Sequence, residues 1–339
     1  MNREEMERQR RRRKARIKMK KRQARIRGVI LLIVIVVLFA GAFHKLKSLA
    51  GKGASGVGGN QIEWFVLKNM DALNPKRAYT PQEIGNLTNN IINDRIEIRL
   101  AKGENHITRA SDYAYDAGEI SDIIQGKREY TGKKKIAFLT FDDGPNHKIT
   151  PQILDILKKK EAHATFFVVG KSVGEKNRDV LLRELSDGHA IALHSYSHDY
   201  HKLYPGRVAN AAAVGEEAEK TQGALQDILG KNFHSGVWRY PGGHMSWQGL
   251  DAADSKLKDL GISWIDWNAL TGDAEPASRR PTTAPGLVEF LKKSMPKNDD
   301  ASVIVILMHD AETKQLSADA LPHVIDALRD DGYSFGILK

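Results

Sequence analysis

No cysteine occurs anywhere in the 339 residues. Disulfides, thiolate metal sites and a cysteine nucleophile are therefore excluded, and any bound metal must rest on histidines and carboxylates. An excess of positive charge is also missing from most of the chain. The formal net charge is +10, but residues 1–28 carry fourteen Lys and Arg against three Glu, which leaves residues 29–339 at −1. A neutral body without a basic aromatic motif argues against nucleic-acid binding. A full-length membrane span is lacking too: the uninterrupted apolar run Val29–Phe43 has fifteen residues, short of the roughly 20 that usually cross a bilayer.

What is present has a clear order. The basic head comes directly before the apolar run, as the positive-inside rule requires of a cytoplasmic flank. Residues 1–28 are therefore expected to be a basic cytoplasmic segment and residues 29–45 a transmembrane signal anchor, lengthened by snorkelling of Arg27 and Lys45. The small residues Ala40-Gly41-Ala42 support the rival reading, a cleaved signal peptide and a secreted product. Both readings place the body outside the cell membrane. Residues 46–60 hold Gly51, Gly53, Gly56, Gly58 and Gly59, the composition of a flexible linker. Residues 61–130 read as a small mixed α/β segment without visible chemistry.

Beyond residue 131 the pattern alternates. Apolar, β-rich runs occur at 136–141, 164–170, 190–194, 237–240, 262–267, 302–308 and 333–338, separated by amphipathic stretches at 150–160, 177–187, 208–229, 248–260, 285–295 and 318–330. Seven strands alternating with helices predict a parallel α/β architecture. Alternation alone leaves an open sheet and a barrel equally admissible. In both, functional groups collect at the C-terminal ends of strands, and Asp142-Asp143, His194, Arg239 and His309 all fall there.

Two adjacent carboxylates, Asp142 and Asp143, precede Gly144-Pro145. Asp-Gly-Pro is common turn chemistry, but such a turn can also aim both acids into one pocket. His194 and His198 are four apart, a spacing at which one helical turn would bring both imidazoles to metal-chelating distance. With one Asp from a neighbouring strand end, they make a three-ligand site with a coordination position left open, the arrangement of a catalytic rather than a structural centre.

These strings resemble the motifs of the polysaccharide deacetylases of carbohydrate esterase family four, the NodB homology domain, over residues 131–339. The first motif stands as Thr140-Phe141-Asp142-Asp143-Gly144-Pro145, the second as His194-Ser195-Tyr196-Ser197-His198, the third as Arg239-Tyr240-Pro241-Gly242-Gly243 and the fifth as Leu307-Met308-His309. The fourth departs from the family: Asp273 is followed by Ala274 where members often have Trp, with Asp266 as the alternative carboxylate and one wall of the substrate groove unaccounted for.

The resemblance implies a distorted (β/α) barrel and hydrolysis of acetyl groups from a glycan. It implies Asp143, His194 and His198 as ligands of a divalent metal, Zn²⁺ before Co²⁺, and Asp142 as general base held by Arg239. His309 would be the general acid, partnered by Asp273, and the Gly242 N–H an oxyanion donor. Trp238, Tyr240, Trp247 and Leu307 are candidate sugar contacts, with Tyr196 beside them. The expected substrate is cell-wall peptidoglycan, at its N-acetylglucosamine. Chitin, poly-N-acetylglucosamine or an O-acetylated polysaccharide are alternatives within the same chemistry, and a catalytically silent wall-binding module is the alternative outside it.

Overall fold

A computed structural model describes residues 99–297 and 301–339. The basic segment, the apolar run, the glycine-rich linker and residues 61–98 lie outside the described residues. Among the described residues no helix is long and apolar enough to cross a membrane.

The described chain opens with β1 (Ala114–Tyr115) and α1 (Ala117–Ile124), followed by β2 (Lys135–Asp142), α2 (Thr150–Lys159), β3 (Ala164–Val168), α3 (Arg178–Ser186) and β4 (Ala190–Leu193). Then come α4 (Tyr200–Leu203), α5 (Ala211–Leu229), β5 (Val237–Trp238), α6 (Asp251–Asp259), β6 (Ser263–Trp264) and β7 (Ala269–Leu270). The last part holds α7 (Ala284–Ser294), β8 (Val303–His309), α8 (Gln315–Asp330), β9 (Tyr333–Phe335) and β10 (Ile337–Leu338). The main sheet runs β6-β5-β4-β3-β2-β8-β7, with β9 also paired to β2. Every pairing in it is parallel.

Strands covered on both faces read as continuous apolar runs rather than alternating ones. β2 is buried at every position after Lys135, and β8 at every position before His309. The sheet is strongly curled. Arg239 follows β5 and Asp142 ends β2, with β3 and β4 between them in the sheet, yet their side chains meet at 2.9 Å. Only a sheet bent round on itself brings those ends together, as a distorted half-barrel does.

The N-terminal ends of the strands are closed by α1. Its Ala117 and Ile120, three apart on one helical face, are buried in the core with Ile136, Phe138, Phe167, Val237, Val303 and Val305. The helix is fixed at its start by the Asp116 carboxylate, which accepts the Glu119 N–H at 2.8 Å, and by the Ala117 N–H donating to the Lys339 carbonyl. β1 pairs with β10. Residues 114–124, to which the sequence assigns no chemistry, are thus the plug of the barrel. Truncating Ile120 to Ala should cost about 2–5 kcal/mol, read as a lowered denaturant midpoint.

One predicted strand, 262–267, is shortened to β6 and another, 333–338, is divided into β9 and β10, each for a local reason. In the run 262–267 the carbonyls of Ile265 and Asp266 accept from the Arg239 guanidinium at 3.2 Å each. Just beyond it the Asn268 side chain, rather than its backbone alone, bonds the Val303 carbonyl and the Val305 N–H. β6 therefore stops at Trp264 and pairing resumes at Ala269. The run 333–338 breaks at Gly336, where a Cβ would lie 2.8 Å from the Phe138 ring and 2.9 Å from that of Tyr115.

Candidate active site

Parallel register sets the site. Asp142 pairs with His309 across β2 and β8, and Leu193 pairs with Trp238 across β4 and β5, so that His194 and Arg239 leave the sheet side by side. A cavity of about 340 Å³ lies over these ends, lined by Asp142, Asp143, His194, His198, Gly242, Asp273, Leu307 and His309, together with Tyr200, Trp267 and Lys314 among others.

Asp143 and the second motif are held in unusual backbone. Asp143 (φ 83°), Ser195 (φ 58°) and His198 (φ 54°) are all left-handed, a conformation that costs non-glycine residues energy and persists only where the surroundings impose it. At Asp143 this is what overrides strand alternation and brings two successive carboxylates into one cavity. His198 is placed by a tight loop, not by the helical turn that its spacing suggests: its N–H donates to Ser195 Oγ at 2.9 Å, and the rings of His194 and His198 sit 5.0 Å apart. Asp310 braces the first motif from behind. Its N–H donates to the Asp142 carbonyl, and Asn146 donates to the Asp310 carbonyl. Burial first, then the nearby carboxylates, raise its carboxyl to about 7 despite the Thr150 hydroxyl bond.

The donor atoms of Asp143, His194 and His198 all lie within 4.8 Å of one another. His198 Nε2 is 3.4 Å and His194 Nε2 3.8 Å from Asp143 Oδ1, close to the separation of about 3.4 Å set by bonds of about 2.0–2.1 Å in a tetrahedral centre. His194 Nδ1 donates to the Arg239 carbonyl at 2.9 Å, which leaves Nε2 as the lone pair facing Asp143. Desolvation, together with the neighbouring His198, lowers the His194 pKa to about 3, so the imidazole is neutral, as a ligand must be. The three residues fit a divalent cation.

Arg239 is fully buried and spans the barrel interior. Its Nη1 donates to Asp142 Oδ1 at 2.9 Å and to the Thr140 hydroxyl at 2.7 Å, and its guanidinium lies 3.9 Å above the Phe167 ring. Asp142 Oδ2 is left on the ligand side, 3.7 Å from His194 Nε2.

Opposite, Asp273 accepts both the His309 N–H at 2.8 Å and His309 Nδ1 at 2.9 Å, and the Ser317 hydroxyl at 2.6 Å. Burial alone would lower the His309 pKa, but the Asp273 carboxylate outweighs it and the net direction is upward. Burial would likewise raise Asp273, and His309, Ser317 and Lys314 bring it below its ordinary value. Asp266, the alternative partner, is engaged elsewhere: its carboxylate accepts the N–H groups of His244 and Met245.

Two candidate sugar contacts are displaced from that role. Trp238 and Tyr240 are fully buried, and the Tyr240 hydroxyl donates to Asp254; both are core. Trp247 is half-buried, stacked on Tyr204 at 4.0 Å and adjoining Gly242, where a Cβ would meet its ring at 3.2 Å. Tyr196 lies beneath the Lys220 ammonium. Leu307 does line the cavity, and so does Trp267, which supplies an aromatic wall from six residues before Asp273. Tyr200, two residues after His198, and Lys314, whose ammonium bonds the Asp273 carbonyl at 2.9 Å, complete the rim. Lys314 has no sequence signal.

The family model described as Polysaccharide deacetylase matches residues 129–263. A peptidoglycan-N-acetylglucosamine deacetylase of Bacillus cereus is 32% identical over 247 residues, 70% of this chain and 80% of that protein. Among solved structures, a Streptococcus mutans CE4 esterase is 45% identical with a TM-score of 0.68, covering 72% of this chain and 99% of its own. A polysaccharide deacetylase from Bacillus cereus is 31% identical with a TM-score of 0.50, covering 60% and 92%. The chain belongs to the polysaccharide deacetylases of carbohydrate esterase family four, hydrolases that remove acetyl groups from polysaccharides.

Proposed function

We propose that this enzyme is a divalent-metal-dependent N-deacetylase of peptidoglycan N-acetylglucosamine, held outside the cell membrane by residues 29–45. The observation that carries the reading is the convergence of three metal-donor atoms, one free carboxylate oxygen and one carboxylate-paired imidazole on a single cavity. The glycan is inferred from relatives such as the Bacillus cereus peptidoglycan-N-acetylglucosamine deacetylase. The outside location is inferred from the basic head preceding the apolar run. The donor set of two imidazoles and one carboxylate suits Zn²⁺, with Co²⁺ as a functional substitute.

When bound, the cation supplies Lewis acidity, polarising the acetyl carbonyl and making water a better nucleophile. The remaining work belongs to the chain. Asp142, gripped through Oδ1 by Arg239, presents Oδ2 to take the proton from the attacking water. The Gly242 backbone faces the cavity, where an N–H stabilises the oxygen that gains charge as the carbonyl is attacked. His309, its Nδ1 fixed by Asp273, turns Nε2 to the cavity and gives a proton to the departing amine. Water is consumed, the C–N bond breaks, and acetate and the free amine leave. Leu307 and Trp267 offer apolar surface beside these groups.

The raised His309 pKa sets a pH signature. The proton-donating form is present below that value and lost above it, so activity has an alkaline limb governed by His309. Asp273→Asn removes the carboxylate that raises it and should move the limb to lower pH, seen in kcat measured against pH. Stability follows the same sign. The His309 contribution is whole below its ordinary value of 6.5 and declines as pH rises through the raised one. The substrate is tested by mass spectrometry of peptidoglycan digested before and after treatment with the full-length enzyme. Loss of one acetyl group from glucosamine is expected; loss from muramic acid, or none alongside acetate release from chitin oligomers or acetyl-xylan, overturns the assignment.

A further inference from the structure

Neither imidazole ligand lies in a strand or helix; the loop that carries them is held from outside the cavity. Glu217, in the second turn of α5, has a side chain only 1% exposed, and both of its oxygens are occupied. Oε2 accepts the Tyr196 N–H at 2.9 Å, the Ser197 N–H at 2.6 Å and the Ser197 hydroxyl at 2.9 Å. Oε1 pairs with Lys202, at 2.9 Å, from α4. Successive N–H groups following a left-handed residue form a concavity that binds anions, and here Ser195 is that left-handed residue. Glu217 is the anion, supplied by the protein itself.

Its position gives it leverage. Tyr196 and Ser197 are the two residues immediately before His198, and Ser195 and Tyr196 the two immediately after His194. The loop is also clasped from its other side, where the Gly170 and Lys171 N–H groups donate to the carbonyls of Ser195 and Tyr196. A Cβ on Gly170 would come within 2.9 Å of Tyr196 Cα. Two left-handed residues, Ser195 and His198, bound the segment that Glu217 grips. Without the carboxylate, nothing else among the described residues satisfies the paired N–H groups of Tyr196 and Ser197, and the loop is free to relax toward ordinary backbone angles.

We infer that Glu217 is a positioning residue for the metal centre: it sets the spacing of His194 and His198, and so the divalent-cation affinity, without touching either imidazole. This rests on the metal reading proposed above and deepens it. Groups that orient ligands from outside the coordination sphere commonly change metal affinity by about 10- to 100-fold when lost.

The test is Zn²⁺ affinity of the full-length protein, measured by competition with a chromophoric chelator, beside the melting midpoint of the metal-free form. Glu217→Gln keeps the shape but places a neutral amide against two N–H donors, and it should weaken Zn²⁺ binding by about tenfold or more while the protein remains folded. A merely structural role would lower the melting midpoint and leave Zn²⁺ affinity unmoved; that result overturns the proposal. Should Glu217→Gln not fold, Ser197→Ala decides instead, since it deletes one of the three Oε2 donors and keeps the carboxylate. Weakened Zn²⁺ binding then supports the proposal and unchanged binding overturns it. A wild-type protein that takes up no Zn²⁺ or Co²⁺ would bring down the metal reading itself, an outcome distinct from wild-type binding that Glu217→Gln leaves intact.

Discussion

Asp142→Asn should reduce acetate release by about 10²–10⁴-fold, the range lost with a positioned general base. The side chain keeps its size, and its carbonyl oxygen can still accept from Arg239, but no carboxylate remains to take the water proton. Removing one partner of a buried ion pair costs about 3–5 kcal/mol, and the Arg239 side chain is fully buried. Here the cost should lie toward the lower end, since Arg239 also donates to Thr140, Ile265 and Asp266. Melting measured beside acetate release separates the two effects: a folded protein that still binds divalent metal and no longer turns over is the expected result. Near-normal turnover would remove Asp142 from the role of base.

The second large effect is expected at Arg239. Lysine there keeps the charge and discards the planar array of donors, so the substitution is not conservative. Bonds to the Ile265 and Asp266 carbonyls would go unmade while those carbonyls stay buried. The stacking over Phe167 would be lost, and Asp142 would be free to rotate. Arg239→Lys should therefore lower stability by about 1–3 kcal/mol for each carbonyl left unsatisfied and lower kcat by about 10²-fold or more. A denaturant melt and acetate release at saturating substrate measure both. Because Arg239 joins β5 to β2 across the barrel, a stability loss much larger than that of Ile120→Ala would also show that the curl of the sheet depends on it.

Much of this site is legible in the sequence for one physical reason: parallel strands buried on both faces leave few polar residues, and those few sit at strand ends. Asp142, His194, Arg239 and His309 stand out against apolar runs, and parallel register then puts them together. Asp273 beside His309 is legible only through the family resemblance, because the two are 36 residues apart, with α7 and β8 in the chain between them.

What the chain conceals is contact at long range between residues of ordinary type. Glu217 looks like any acidic residue of an amphipathic helix, although its carboxylate organises a loop twenty residues away. Trp238 and Tyr240 flank Arg239 and look like sugar platforms, but both side chains are buried in the core. Trp267 lines the cavity although it belongs to none of the motifs, because the chain between Ile265 and Asn268 leaves the sheet to bond the Arg239 guanidinium and β8. The left-handed angles at Asp143 and His198 have no signature in residue type either; a helical reading of the four-residue spacing reaches the same pair of candidate ligands by a different geometry.

The central claim is that Asp143, His194 and His198 hold a divalent cation on which the hydrolysis depends. It is tested most directly by stripping the full-length protein with a chelator, removing the chelator, and titrating Zn²⁺ or Co²⁺ back while acetate release from peptidoglycan is followed. Acetate release should be at background in the stripped protein and return in proportion to metal up to one equivalent, with His198→Ala failing to recover at the same concentrations. Full activity in protein shown to be free of divalent metal would contradict the account.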